Sequence, residues 1–342
     1  MRTARPPIRS GRRRHFTIII VGAAILGLTA LSACGGTSGA TSSPPAGGPS
    51  APLPVTFATS SNPSSIGLLA AVIKAQHLDT KNGVTLDEKT YSPDQAETAL
   101  LTGQVNTGFF GYVSWAATPA KQSKISLLTP IQAEHGSLLV KADSPYKTLG
   151  DLKGRKIASL GPVSANYTDF ELLAAKLGFN WKNDFQVISA PPPALVSFLE
   201  GGQVDASIVY EPTASRLLAG GKYRSVADGN QAWMQQTGQP LYQLALAANS
   251  DWKAGHTKEV KGLTAAVNEA VTILSEDTSV YSQFAGILEL QGSALQEAQT
   301  RMPKVYTPAT AGMAETAVED QLQLAAKLGI IPSAPKTVFV TS

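Results

Sequence analysis

Tyr210 and Glu211 end the apolar run QVDASIVY, and Pro212 follows at once. A carboxylate in that place can act in two ways. At the start of a helix it offsets the positive end of the helix dipole, and a proline suits the first helical position. In a pocket it accepts a hydrogen bond from an ammonium, amine or ring N–H, with Tyr210 packing beside the ligand. Four other stretches carry similar potential. SLGPVSANYTDF places Gly161, Ser164 and Asn166 at a strand-to-helix turn, where N–H groups can hold an anion or Ser164 can simply cap its own helix. TSSNPSS places Ser60, Ser61 and Asn62 at a second such turn. Phe110, Gly111 and Tyr112 follow a third strand, where glycine allows close backbone approach and the aromatics can form a wall or enter the core. Ser137 and His135 lie just before a further apolar run. An anion bound at these turns and a cation at Glu211 would together describe a zwitterionic ligand.

The sequence contains no G-x-S-x-G, H-E-x-x-H or P-loop pattern. The four histidines, at 15, 77, 135 and 256, form no metal-ligand pattern, and no cofactor or metal is expected. Arg155, Arg216, Arg224 and Arg301 have no context that suggests a bidentate anion clamp, so backbone N–H groups and hydroxyls are the expected anion donors.

The elements that must position these residues alternate. LPVTFATS, GVTLDEKTY, VNTGFFG, KISLLTPIQ and GSLLVKA have strand character. They are separated by helical stretches such as PSSIGLLAAVIKAQHL, with Ser64 or Ser65 as cap, and PDQAETALLTG, closed by Gly103. A second set follows from residue 148, with strands RKIAS, FQVISA and QVDASIVY and helices SANYTDFELLAAKLGF and PALVSFLEGG. LYQLALAAN is another strand, and residues 258–328 are mostly helical. Strands alternating with helices imply largely parallel α/β sheets. LLTGQVNTGFFGY at 100–112 parallels LEGGQVDASIVYE at 199–211 when Gly103 is aligned with Gly202. Ligands of open α/β sheets bind beyond the carboxyl ends of the strands, so 110–112 and 210–211 are expected to face each other across a cleft.

The 342 residues suit two domains. The formal charge of +3 is concentrated at one end: residues 1–33 hold six arginines and no acid, leaving 22 Lys+Arg against 25 Asp+Glu in the remainder. That slightly acidic body argues against nucleic acid as a partner. Phe16 to Ala33 is an uncharged run of 18 residues, at the lower limit for a membrane span. LSAC, Leu31 to Cys34, resembles the lipobox of bacterial lipoproteins. That resemblance implies a signal peptide over 1–33, cleavage before Cys34 and lipidation of the only cysteine. RRHF at 13–16 weakly resembles a twin-arginine signal. Residues 34–52, rich in Gly, Ser, Thr, Ala and Pro, have the composition of a flexible tether.

DLKGRKIAS, LLAAKLGF, PPPALVSFLEGGQVDASIVYEPTAS and ALLTGQVNTGFFG resemble the solute-binding proteins of ABC importers. The branch is the one that includes sulfonate, taurine, nitrate and thiamine-precursor (NMT1/THI5-like) binding proteins. The resemblance implies the type II periplasmic-binding-protein fold: two α/β lobes joined by two crossover strands around a central cleft. The crossings are expected near 136–141 and 241–247, giving lobe one as 53–138 plus 245–342 and lobe two as 139–244. It also implies a lipid-anchored, extracytoplasmic monomer that delivers a small solute to a permease served by a cytoplasmic ATPase. The alternatives are a THI5-like pyrimidine-precursor enzyme, whose cysteine-rich motif is missing here, and a ligand-sensing lipoprotein with a signalling partner.

Overall fold

The computed structural model describes residues 51–339. The expected signal peptide, Cys34 and nearly all of the expected tether lie outside the described residues. Ten strands build two five-stranded sheets among those residues. The first sheet contains β1 (Leu53–Ser60), β2 (Val84–Tyr91), β3 (Thr107–Gly111), β4 (Ile125–Ala133) and β10 (Tyr242–Asn249), ordered β2-β1-β3-β10-β4. The second contains β5 (Gly136–Lys141), β6 (Lys156–Ser159), β7 (Gln186–Ser189), β8 (Ala206–Tyr210) and β9 (Tyr223–Asp228), ordered β7-β6-β8-β5-β9.

The two sheets follow one plan. In each, three strands joined through helices pair in parallel. The fourth strand in spatial order is antiparallel to both neighbours: β10 against β3 and β4, β5 against β8 and β9. Those two strands are the ones that have just come from the other sheet. After β4, only Glu134 and His135 separate it from β5, too short a link for a helical crossover, so β5 enters its sheet reversed. β5 thus lies wholly in the second sheet and β10 wholly in the first, and the chain passes between the sheets at 134–135 and again between β9 and β10.

The sequence echo has a structural counterpart. β3 and β8 start at aligned positions and hold the same place in their sheets. The helix before each ends at a glycine with positive φ, +74° at Gly103 and +67° at Gly202, a conformation that costs glycine no Cβ clash. The Ser65–Ala75 helix is capped by Ser64, whose Oγ accepts from Gly67 N at 2.9 Å.

The C-terminal chain bridges the two halves. The Gly292–Arg301 helix packs along the Thr213–Ala219 helix that follows β8. The chain then returns to β4, where Val305 O accepts from Ala133 N at 2.9 Å, and Tyr306 Oη donates to Ser65 O at 2.8 Å. The Ala311–Lys327 helix packs against the Tyr112–Ala116 helix of the first half and the Ala165–Lys176 helix of the second. No helix among the described residues is long and apolar enough to cross a membrane.

Candidate functional site

The carboxyl ends of the strands collect polar side chains that the fold does not satisfy. Thr59, near the end of β1, is buried and its Oγ1 has no protein partner. Gln132, near the end of β4, is fully buried, and neither its amide oxygen nor its nitrogen is paired. Thr307 lies beside it, with its N donating to Ile131 O at 3.3 Å and its Oγ1 unpaired. From the second sheet come Ser159 at the end of β6, with its Oγ unpaired, and Asn166, with its Oδ1 unpaired. His135, in the link between the sheets, has a buried and unpaired Nδ1. Burial pushes its imidazole down to about 4, so the ring is neutral at physiological pH. Its face meets Tyr210 edge-on, with centroids 6.0 Å apart. Burial pushes the Tyr210 phenol up to about 12. Buried polar groups in folded proteins nearly always find partners, so these atoms are open to a water molecule or a polar ligand.

The charged groups here are, by contrast, committed to one another. Arg301 Nε donates to Glu211 Oε1 at 2.6 Å, and its Nη2 donates to Asp228 Oδ1 at 2.9 Å and to Ser137 Oγ at 2.5 Å. Ser137 Oγ in turn donates to Asp228 Oδ1 at 2.5 Å, and Ser225 Oγ does so at 3.1 Å. The other Glu211 oxygen accepts from Ser215 N at 3.2 Å and Ser215 Oγ at 2.6 Å. Burial alone would raise the Asp228 carboxyl, but the hydrogen bond and charge of Arg301 outweigh it and hold the group below the usual range.

Several sequence expectations change on this geometry. Glu211 was expected to cap a helix, to accept from a ligand cation, or both; it accepts from Ser215 in the first turn of the next helix and from Arg301, three of a carboxylate's roughly four acceptor positions. Ser137, a candidate ligand group, is engaged in the Arg301 cluster. Phe110 is fully buried, with Lys121 Nζ 5.7 Å from its ring centroid. Tyr112 was expected on a pocket wall or in the core; a helix starts at this residue and the ring is buried, edge-on to Tyr242 at 6.5 Å and Phe339 at 5.8 Å. Ser164 caps the Ala165–Lys176 helix, its Oγ accepting from Tyr167 N at 3.2 Å. Gly161 is half-buried in the turn before it, with open space where a Cβ would lie. Ser60 is half-buried, and Ser61 and Asn62 are exposed at the end of β1.

Gly111, expected to let the backbone approach a ligand, closely approaches a helix of the second half. A Cβ built there would lie 3.2 Å from Ala165 Cβ, so the first turn of the second-half helix rests on the end of β3. The expectation that 110–112 and 210–211 face each other becomes an approach of β3 to that helix, while Tyr210 meets His135. Thr59, Gln132, Ser159 and Thr307 were not anticipated. A single hydroxyl or amide carries no spacing signal, and only the uncommitted state of each marks it. Among the described residues no group of three or more His, Cys, Asp or Glu is arranged to hold a metal ion.

A family model described as NMT1/THI5 like matches residues 62–278. The taurine-binding periplasmic protein of Escherichia coli K12 is 25% identical over 309 residues, covering 84% of this chain and 91% of that protein. Among solved structures, the alkanesulfonate-binding protein SsuA from Xanthomonas axonopodis pv. citri, bound to MOPS, superposes with a TM-score of 0.65 at 18% identity. It covers 85% of this chain and 97% of that one. The periplasmic aliphatic sulphonate binding protein SsuA from Escherichia coli gives a TM-score of 0.64 at 20% identity, covering 83% and 95%. At those identities the structures establish the fold alone, the two-lobed periplasmic-binding-protein fold. With a family match over more than half its length, and two sheets built on the same plan as those structures, the chain belongs to the NMT1/THI5-like family.

Proposed function

We propose that the protein is the extracytoplasmic solute-binding lipoprotein of an ABC importer, which captures a small polar organic or anionic solute between two lobes and passes it to a permease. The observation that carries this reading is the set of buried polar atoms without a protein partner: at strand ends the Thr59 and Ser159 hydroxyls and the Gln132 amide, and elsewhere in the chain the Thr307 hydroxyl and the Asn166 amide oxygen. A solute that bonds to groups of both lobes favours the state in which they are close over the state in which they are apart. The polar groups are neutral, and the nearby guanidinium of Arg301 is already matched by two carboxylates. An anionic head group would therefore be held by hydroxyls, the Gln132 amide and backbone N–H groups rather than by an ion pair. Cys34 supplies the membrane anchor in this reading, with residues 34–52 as the tether.

The test is a thermal-shift screen of the purified protein against taurine, alkanesulfonates, nitrate, pyrimidines, riboflavin and amino acids. Taurine and alkanesulfonates come first because relatives are named for them. A ligand at about 100 times its Kd adds about 2.7 kcal/mol to the folded state and raises the melting temperature accordingly. A screen with no hit, together with turnover of a substrate by the same preparation, would overturn the binding-protein reading.

A further inference from the structure

Glu134 occupies the two-residue link between the sheets, and Asp169 lies on the Ala165–Lys176 helix of the second half. Both are buried, with 2% and 1% of their surface exposed, and their carboxyl groups are within hydrogen-bonding reach of each other. Among the described residues no cation is paired with either carboxyl. Glu134 Oε1 accepts from Gly136 N at 2.6 Å and from Asn166 Nδ2 at 2.7 Å, and Oε2 accepts from Gln243 Nε2 on β10. Asp169 Oδ1 accepts a long contact, 3.5 Å, from Gln321 Nε2 of the Ala311–Lys327 helix, and the Gln243 amide also lies near its carboxyl. Asp169 Oδ2 is buried and meets no donor from the protein. All the donors around the pair are neutral amides. They come from the link and helix that lead into the second sheet, and from the strand and helix that belong with the first.

We propose that Glu134 and Asp169 bind one proton between them, and that this shared proton clasps the two halves of the protein together. One proton supplies the donor that Asp169 Oδ2 lacks and converts a carboxylate–carboxylate contact into a hydrogen bond. Without it, two negative charges would sit in contact away from water, where repulsion and desolvation act together. Separation of the halves, which lets water reach both groups, is the relief open to the doubly ionised pair.

The surrounding ionisable groups do not compete for this role. His135, next in the chain, is held neutral by burial down to about pH 4. Tyr242 on β10 is pushed up by burial and stays protonated. On the same helix as Asp169, Glu171 is paired with Lys182 at 2.8 Å, and burial raises the Tyr167 phenol. At the end of β9, Asp228 is paired with Arg301, and the Gly229 that follows packs against the Glu134 side chain. The Ala311–Lys327 helix presents the uncharged Gln321 to Asp169 and keeps Glu315 for Val338 N. Burial, the first cause for both, pushes the Glu134 and Asp169 carboxyls up, so the pair keeps a proton at a pH where two exposed carboxyls would have lost both. The native state thus holds this proton more tightly than the unfolded chain does. The resulting stabilisation is greatest on the acid side and is lost as pH rises through the folded-state value. The clasp acts whichever solute is bound.

The experiment measures the separation of the halves directly. Val163, 74% exposed before the Ala165–Lys176 helix, and Met313, 69% exposed on the Ala311–Lys327 helix, accept spin labels as Val163→Cys and Met313→Cys in a Cys34→Ser background. The label-to-label distance distribution is expected to lengthen and broaden as pH rises from about 7 to about 10, as the pair gives up its last proton. The melting temperature should fall by roughly 5 °C over the same range. Glu134→Gln and Asp169→Asn each remove the second negative charge and place an amide donor where the shared proton would stand, so no proton is needed to join the two side chains. Both variants are expected to show a clearly smaller response over that range. Two variants guard against one failing to fold. A distance distribution indifferent to pH in the parent, or a full response surviving in either variant, would overturn the proposal.

Discussion

Arg301 Nε lies 2.6 Å from Glu211 Oε1, although 90 residues separate them in the chain. The Glu211 side chain is 2% exposed and that of Arg301 18%, so the pair is largely withdrawn from water. It joins the last turn of the Gly292–Arg301 helix to the end of β8. Arg301→Met leaves a buried carboxylate with only Ser215 as donor and is expected to cost about 3–5 kcal/mol of unfolding free energy, measured by urea denaturation at neutral pH. Adding Glu211→Gln should recover more than half of that loss. Losses that simply add in the double variant would mean that the two groups stabilise the fold independently.

The uncommitted hydroxyls make a different prediction. Ser159→Ala, Thr307→Val and the volume-conserving Gln132→Met remove groups that bond to nothing in the protein. Each should leave the melting temperature of the unliganded protein unchanged or slightly higher. Each should weaken binding of the solute found in the screen by about tenfold, the worth of one hydrogen bond in a dry site. Calorimetric titration checks the affinity. Loss of stability without loss of affinity would mark these residues as structural.

Acid should loosen the Arg301 cluster. The Asp228 carboxyl has a folded-state pKa below its unfolded value, so its stabilisation is present above the ordinary carboxylate pKa and is lost as pH falls through the folded value. Unfolding free energy is expected to drop between about pH 4 and about pH 2. Asp228→Asn should flatten that limb, and a limb of unchanged slope would exclude Asp228 as its source.

Gly136 opens β5 where no side chain fits. A Cβ there would lie 2.5 Å from Glu134 Oε1 and 2.6 Å from Asn166 Nδ2, and Phe170 is 2.9 Å away. Gly136→Ala must push the Glu134 carboxyl off its donors and is expected to destabilise by about 1–3 kcal/mol, read by thermal or chemical unfolding. An alanine variant as stable as the parent would show that the link between the sheets can shift at no cost.

Cys34 belongs to the lipoprotein proposal. In a lipoprotein-processing bacterial host, Cys34→Ser should move the protein from the membrane fraction to the soluble fraction, and mass spectrometry of the parent should find the lipid on the residue at position 34. Membrane retention of the serine variant would point to the 16–33 run as an uncleaved anchor instead.

The amino-acid sequence by itself determined the elements whose signals are local. Alternating apolar strands and capped helices were legible, as were the Gly103 and Gly202 turns and the shared plan of β3 and β8, because each depends on neighbours a few residues away. β9 was not. YRSVAD is only partly buried along its whole length, so it shows neither an apolar run nor a clean alternation. Strand ends were also legible as the region of the site, since parallel α/β topology dictates that edge. Which side chains there remain available was decided only by tertiary structure. Glu211 and Ser137 read as ligand groups until Arg301 arrives from 90 and 164 residues away to engage them. Thr59, Gln132, Ser159 and Thr307 read as ordinary residues until the fold leaves them buried and unpaired. Tyr112 is turned into the core because a helix begins at that residue. A hydrogen bond is settled by the partner that reaches it first in space, and sequence distance carries no record of that partner.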